Sequence, residues 1–151
     1  MRLTTAAALA AAFTGFVFSH AAAAGDLSPS ANQAFLAEYA AKPGVITRQG
    51  GLRCRAIKSG DGKMLKASDT VHISYKGTLI DGTVFDQTKP GRTTAVPAGI
   101  VIPAEAISLM KEGDEWEVVI PPDFSYRARY LLGDIPAHQT LVFNLTLVKI
   151  N

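Results

Sequence analysis

Two histidines, one cysteine and a scatter of carboxylates are what the chain offers for chemistry beyond residue 24. Their spacing suits neither a metal nor a nucleophile. His72 and His138 lie in different segments, with no cysteine pair and no H-E-x-x-H spacing to complete a metal site. No G-x-S-x-G elbow, phosphate-binding P-loop or G-x-G-x-x-G fingerprint is present. The pairs Gly50-Gly51 and Gly60-x-Gly62 belong to turns. Asp114 and Glu115 are adjacent, so on a strand they would point to opposite faces instead of working together. Cys54, the lone cysteine, cannot close an internal disulfide; it sits in the alternating segment 51–57, where a small buried hydrophobe is expected. Whatever this chain does, it is expected to do without metal, cofactor, nucleotide or covalent intermediate.

The bulk composition narrows the field further. Fifteen Lys and Arg against thirteen Asp and Glu leave a net charge of only +2, with the cations dispersed and no aromatic series between them. That distribution gives no electrostatic footprint for nucleic acid. A hydrophobic content of 48% in 151 residues is that of one folded domain. At the start, Arg2 precedes an apolar run from Leu3 to Phe18 and small residues from Ala21 to Ala24, the layout of a cleavable signal peptide over 1–24. A run of about 16 residues falls short of the roughly 20 that a spanning helix needs. No stable membrane anchor is therefore expected, and the mature chain is placed in the periplasm or outside the cell.

The elements that must position a site follow from the periodicity. Residues 31–41 are rich in Ala, Glu and Leu with Phe35, Leu36 and Tyr39 at helical spacing; Ser30 is the expected cap, and Pro43 and Gly44 the stop. This helix is too short to stand alone and must pack on the domain or on a partner. Segments 45–48, 52–58, 70–77, 83–86, 115–121 and 140–150 have strand character, and Asp81-Gly82 marks a hairpin between two of them. A second short helix is expected over 103–110, from Pro103 to the stop at Gly113. The predicted fold class is α+β: a twisted antiparallel sheet of five or six strands curled around one short helix. The organisation is a leader (1–24), a linker with a short helix (25–44) and one domain (45–151).

The run Val71-His72-Ile73-Ser74-Tyr75-Lys76-Gly77-Thr78-Leu79-Ile80-Asp81-Gly82-Thr83-Val84-Phe85-Asp86 resembles the start of the FKBP-type peptidyl-prolyl isomerase core. Val101-Ile102-Pro103, Gly113-Asp114-x-Trp116, Ile120-Pro121-Pro122 with Tyr126, and Ile135-Pro136 with Leu141-Val142-Phe143 continue the family's order over about 80 residues. The lead-in Lys42-Pro43-Gly44-Val45-Ile46-Thr47 is similar to that of bacterial Mip-like and secreted members. The resemblance implies cis/trans isomerisation of X-Pro bonds in polypeptide clients. It also implies the site. Tyr75, Phe85 and Phe143 would wall a proline cup with Val101 and Ile135. The Ile102 amide and Tyr126 hydroxyl would hold substrate carbonyls, and Asp86 would place negative charge near the rotating amide. An alternating core strand accounts for Phe143 and Val101 by itself; packing alone does not call for the phenols of Tyr75 and Tyr126 or the carboxylate of Asp86.

Against that pattern, Glu105 stands where the family places a tryptophan as the floor of the cup. An aromatic floor is worth roughly 1.5 to 3 kcal/mol of burial, and about 1.4 kcal/mol is tenfold in rate. Weakened catalysis and weak macrolide binding are the expected outcome, with a non-catalytic binding module or chaperone on the same fold as the alternative. Val96 falls at a second aromatic wall position, and residues 127–132 form a basic, apolar loop suited to contacting clients. With an N-terminal helix this short, a monomer is expected.

Overall fold

The computed structural model describes residues 25–98, 103–124 and 135–151. Its elements in chain order are α1 (Pro29–Ala40), β1 (Val45–Thr47), β2 (Arg53–Lys58), β3 (Thr70–Thr78), β4 (Val84–Gln87), β5 (Thr94–Pro97), α2 (Ala104–Ile107), β6 (Glu115–Ile120) and β7 (Leu141–Ile150). The strands form one antiparallel sheet in the order β1-β2-β6-β7-β3-β4, with β5 joined to β3 beyond β4. The α+β class is as the periodicity predicts. The addition is β5, which pairs Thr70–Ile73 with Thr94–Pro97. Its four residues, ending in proline, are too few and too mixed to announce a strand.

Alternation in β3 and β7 gives the sheet two unlike faces. On the inner face, Cys54, Val118, Phe143 and Gly77 stand side by side across β2, β6, β7 and β3, and the next row is Ala56, Trp116, Leu145 and Tyr75. Apart from the exposed Ala56 at the edge, these rows lie with Val71, Ile73, Leu147 and Ile150 on the main core. The helix α2 closes it, contributing Ala106 and Ile107, and the Cys54 thiol donates to the Ala106 carbonyl at 3.6 Å. Burial pushes the Cys54 thiol up to about 11, so it is an inert core residue. Irregularities in register at 56–58, 72–73 and 77–78 bend the strands over this helix.

The predicted hairpin at Asp81-Gly82 is present. Gly82 adopts a φ of 88°, the left-handed region that favours glycine, and Asp81 accepts from the Thr83 amide and hydroxyl, both at 2.9 Å. Between β2 and β3, the buried Asp114 carboxylate accepts the Gly60 amide at 2.6 Å and the Lys111 amide at 2.8 Å. It therefore works as a clamp on two loops.

The outer face receives α1. Tyr39 packs with Val119 and Val142, flanked by Phe35, Leu36 and Val45. The cap lies two residues before the expected Ser30: Ser28 accepts the Ala31 amide at 3.2 Å, and Pro29 fills the first turn, where no amide hydrogen is needed. What ties α1 down is polar. Asn32, 2% exposed, donates to Leu27 O (3.2 Å), Ser28 O (3.0 Å) and Gln139 Oε1 (3.1 Å), while its own oxygen accepts the Thr140 amide at 2.8 Å. Gln139 in turn donates to Leu27 O at 3.2 Å.

A buried group left without its partner costs about 1–3 kcal/mol. Asn32→Ala strands the Thr140 amide and the Gln139 side-chain oxygen together. It is expected to lower unfolding free energy by about 3 kcal/mol, read as a drop in urea midpoint at unchanged slope.

Candidate functional site

Gly77 opens the site. Opposite Phe143 on the inner face, a side chain there would place its Cβ 2.5 Å from the tip of the Phe85 ring and 3.0 Å from that of Phe143. The absence of a Cβ lets two aromatic rings settle over the β3 backbone. Phe85 meets Phe143 edge-on at 5.5 Å between centroids, and Tyr75 meets it tilted at 6.1 Å. Such geometries are favourable beyond area burial alone. Phe143 has no exposed surface, whereas Tyr75 and Phe85 are half-buried, so the three make a wall with a closed base and an accessible rim.

A polar pair sits in this wall. The Tyr75 hydroxyl donates to Asp86 Oδ2 at 2.6 Å. Burial and this bond to the Asp86 carboxylate together push the Tyr75 phenol above its ordinary value. The other carboxylate oxygen of Asp86 accepts no hydrogen bond among the described residues. Thr88, just past β4, fixes the pair: its hydroxyl accepts the Tyr75 amide at 3.1 Å, and its amide donates to the Tyr75 carbonyl at 2.9 Å.

The sequence-derived candidates divide as follows. Tyr75, Phe85, Asp86 and Phe143 come together, and Ile135, 4% exposed, belongs to the same core cluster, with Val96 packed against it. Val101, Ile102 and Tyr126, with the loop 127–132, lie outside the described residues. Glu105, at the family's tryptophan position, keeps its carboxylate in water. It is exposed on α2, where the buried positions are Ala106 and Ile107, and Arg48 holds the helix by donating from Nε to the Glu105 carbonyl at 3.1 Å. The physical reason is the cost of burying an unpaired carboxylate, which turns the neighbouring aliphatic residues inward instead. Two residues that shape the site went unassigned in the sequence. Gly77, a lone glycine inside a strand pattern, carries a recognisable signal of close approach; Thr88 carries none, because its role depends on how the chain returns after β4.

The sequence model of the FKBP-type peptidyl-prolyl cis-trans isomerase family matches residues 62–148. The chain belongs to this family. The FKBP relatives include "Outer membrane protein MIP" of Legionella longbeachae, 42% identical over 78% of this chain and 52% of that protein. "Probable FKBP-type peptidyl-prolyl cis-trans isomerase FkpA" of Neisseria meningitidis is 44% identical over 78% of this chain and 44% of its own length. The chain thus spans about half the length of the curated relatives it matches. Among solved FKBP structures, FkpA from Escherichia coli superposes with a TM-score of 0.72 at 34% identity, covering 81% of this chain and 58% of that one. A peptidyl-prolyl isomerase from Pseudomonas syringae gives 0.70 at 31% identity, covering 81% and 92%.

Two outcomes are expected from the FKBP wall. Overpacking at a site this tight costs about 1–3 kcal/mol, so Gly77→Ala should lose that much stability and flatten the near-ultraviolet circular dichroism of the aromatic cluster. Because the folded state keeps the Tyr75 proton to a higher pH than the unfolded chain does, the stability this residue contributes is complete below about pH 10 and is lost as pH rises through the folded value. Phenolate absorbance, with Tyr75→Phe assigning the signal, should show Asp86→Ala moving that titration to lower pH.

Proposed function

We propose that this chain is a peptidyl-prolyl cis/trans isomerase of exported polypeptides, working through the wall of Tyr75, Phe85 and Phe143 and the carboxylate of Asp86. The observation that carries the reading is the 2.6 Å bond from Tyr75 to Asp86 set into that aromatic wall. It fixes a carboxylate at an apolar surface with one oxygen uncommitted among the described residues.

The reaction suits such a site because nothing has to be cleaved. The barrier of about 18–20 kcal/mol is the loss of amide conjugation on twisting. Catalysis needs only tighter binding of the twisted amide than of either planar form. The proline ring rests against the half-buried rings of Tyr75 and Phe85, which the buried Phe143 supports from below, out of water. As conjugation breaks, the carbonyl carbon becomes more electron-poor, and the Asp86 charge lies near it; Ile102 and Tyr126 fill the family's carbonyl-holding positions. The bond from Tyr75 keeps the carboxylate in place, so no reorganisation is needed during rotation.

A glutamate, Glu105, at the family's tryptophan position supports reduced turnover and weak macrolide binding. The leader pattern at 1–24 and the Mip and FkpA names of the relatives support export, and no helix among the described residues is long and apolar enough to cross a membrane. Docking of α1 on its own domain supports a monomer.

Acceleration of a proline-limited refolding reaction tests the reading. Asp86→Ala should lower kcat/KM by about tenfold or more, the scale of one lost electrostatic contact in the transition state. Glu105→Ala, changed in water, should alter it by less than about threefold. Binding of proline peptides with no acceleration by the unmodified chain would replace the isomerase with a binding module.

A further inference from the structure

The outer face carries a second groove, and its chemistry is unlike that of the aromatic wall. It has a volume of about 490 Å³ and runs between the backs of β3 and β7 and the connection from β4 to β5. That volume is in the range of ligand-binding clefts, roughly 300–1,000 Å³. Ser74, Lys76, Asn144 and Thr146 line one side; Lys89 and Arg92, on the connection, line the other. None of these six is apolar.

Three observations give the groove a sign. Its lining includes no carboxylate. Lys76, Lys89 and Arg92 make no ion pair or side-chain hydrogen bond among the described residues. The nearest carboxylate in the Lys76 row, reached across Asn144, is Glu117, and it is already engaged by Arg55 at 3.1 Å. Three cations therefore line one open cleft with no carboxylate in its lining, Glu115 standing one strand beyond Thr146. Around them stand hydroxyl and amide groups able to hydrogen-bond an anion or an extended backbone.

The groove also adjoins the aromatic wall around the edge of the sheet. Tyr75 belongs to both, and the connection that lines the groove starts at Gln87, directly after Asp86. Thr88, which binds the Tyr75 backbone in both directions, lies in the same stretch. A polypeptide resting at Asp86 and Phe85 has only to pass the edge of β4 to enter the groove. β4 is the last strand on this path through the sheet, so nothing in the strand order bars the way.

We propose that this groove is a docking site for acidic, extended segments of polypeptide, which lead a nearby proline to the wall on the inner face. It rests on the isomerase reading for its purpose but not for its binding chemistry. Charge complementarity selects the occupant, and Pro90 and Val148 give its apolar side chains a place to rest. Since all three cations are exposed, the attraction acts through water and falls as salt shortens the Debye length from about 10 Å at 0.1 M to about 3 Å at 1 M.

The test separates the groove from catalysis by using a labelled acidic peptide with no proline, followed by fluorescence anisotropy on the full chain. Binding is expected, weakening steeply with salt. The combined variant Lys76→Ala, Lys89→Ala, Arg92→Ala should weaken it by about tenfold, as three surface charge contacts together would. The same variant should leave isomerisation of a neutral proline peptide unchanged and lose the preference for one flanked by aspartates. Two results overturn the proposal: equal binding of acidic and neutral peptides, or an intact acidic preference in the variant. Stronger capture by anionic phospholipid vesicles than by the peptide would overturn it too, assigning the groove to a membrane surface. Failure of isomerisation on neutral peptides, with acidic binding intact, would instead remove the catalytic reading and leave the groove standing.

Discussion

The pairing of β3 with β7 at the centre of the sheet is the constraint on which the rest depends. It sets Gly77 across from Phe143 and Tyr75 across from Leu145. Because side chains alternate with a period of two, a slip of β7 by one residue would turn Phe143 to the outside and bring Asn144 into the core. The one register therefore fixes both faces at once: the aromatic wall within, the polar groove without. Burying Phe143 completely, at roughly 1.5–3 kcal/mol, penalises any other alignment.

On this base the two helices have different tasks. The short α2 lies against the inner face and is held by backbone contacts, with Arg48 reaching the Glu105 carbonyl and Cys54 the Ala106 carbonyl. Neither contact specifies a side chain on α2, so the helix can carry an exposed glutamate without loss of anchorage. By contrast, α1 is tied by side-chain amides matched to particular partners on the approach to β7. An apolar stripe alone allows sliding; the carboxamides of Asn32 and Gln139 specify one seat.

Most of the fold was legible in the sequence because the signals were local. Leu141 to Leu147 alternate openly, Asp81-Gly82 announces its hairpin, and Pro43-Gly44 ends its helix. Less visible was whatever depended on pairing at a distance. β5 exists because β3 extends past β4 and offers free backbone groups to Thr94–Pro97. The site divides in the same way. The types of Tyr75, Phe85 and Asp86 were suggestive in themselves, whereas the bond joining Tyr75 to Asp86 and the support of Thr88 arise only when β4 folds back on β3. The position of Glu105 was legible, and its exposure follows from the cost of burying an unpaired carboxylate.

The clasp between Asn32 and the segment Gln139–Thr140 joins residues 107 and 108 positions apart. The helix α1 is made well before its partners, which lie just before the last strand. Contacts of such sequence separation wait on loop closure. With both its carboxamide and its apolar stripe unmatched until then, α1 remains an open end through most of the chain's production, and its docking marks the moment at which the last strand is in place.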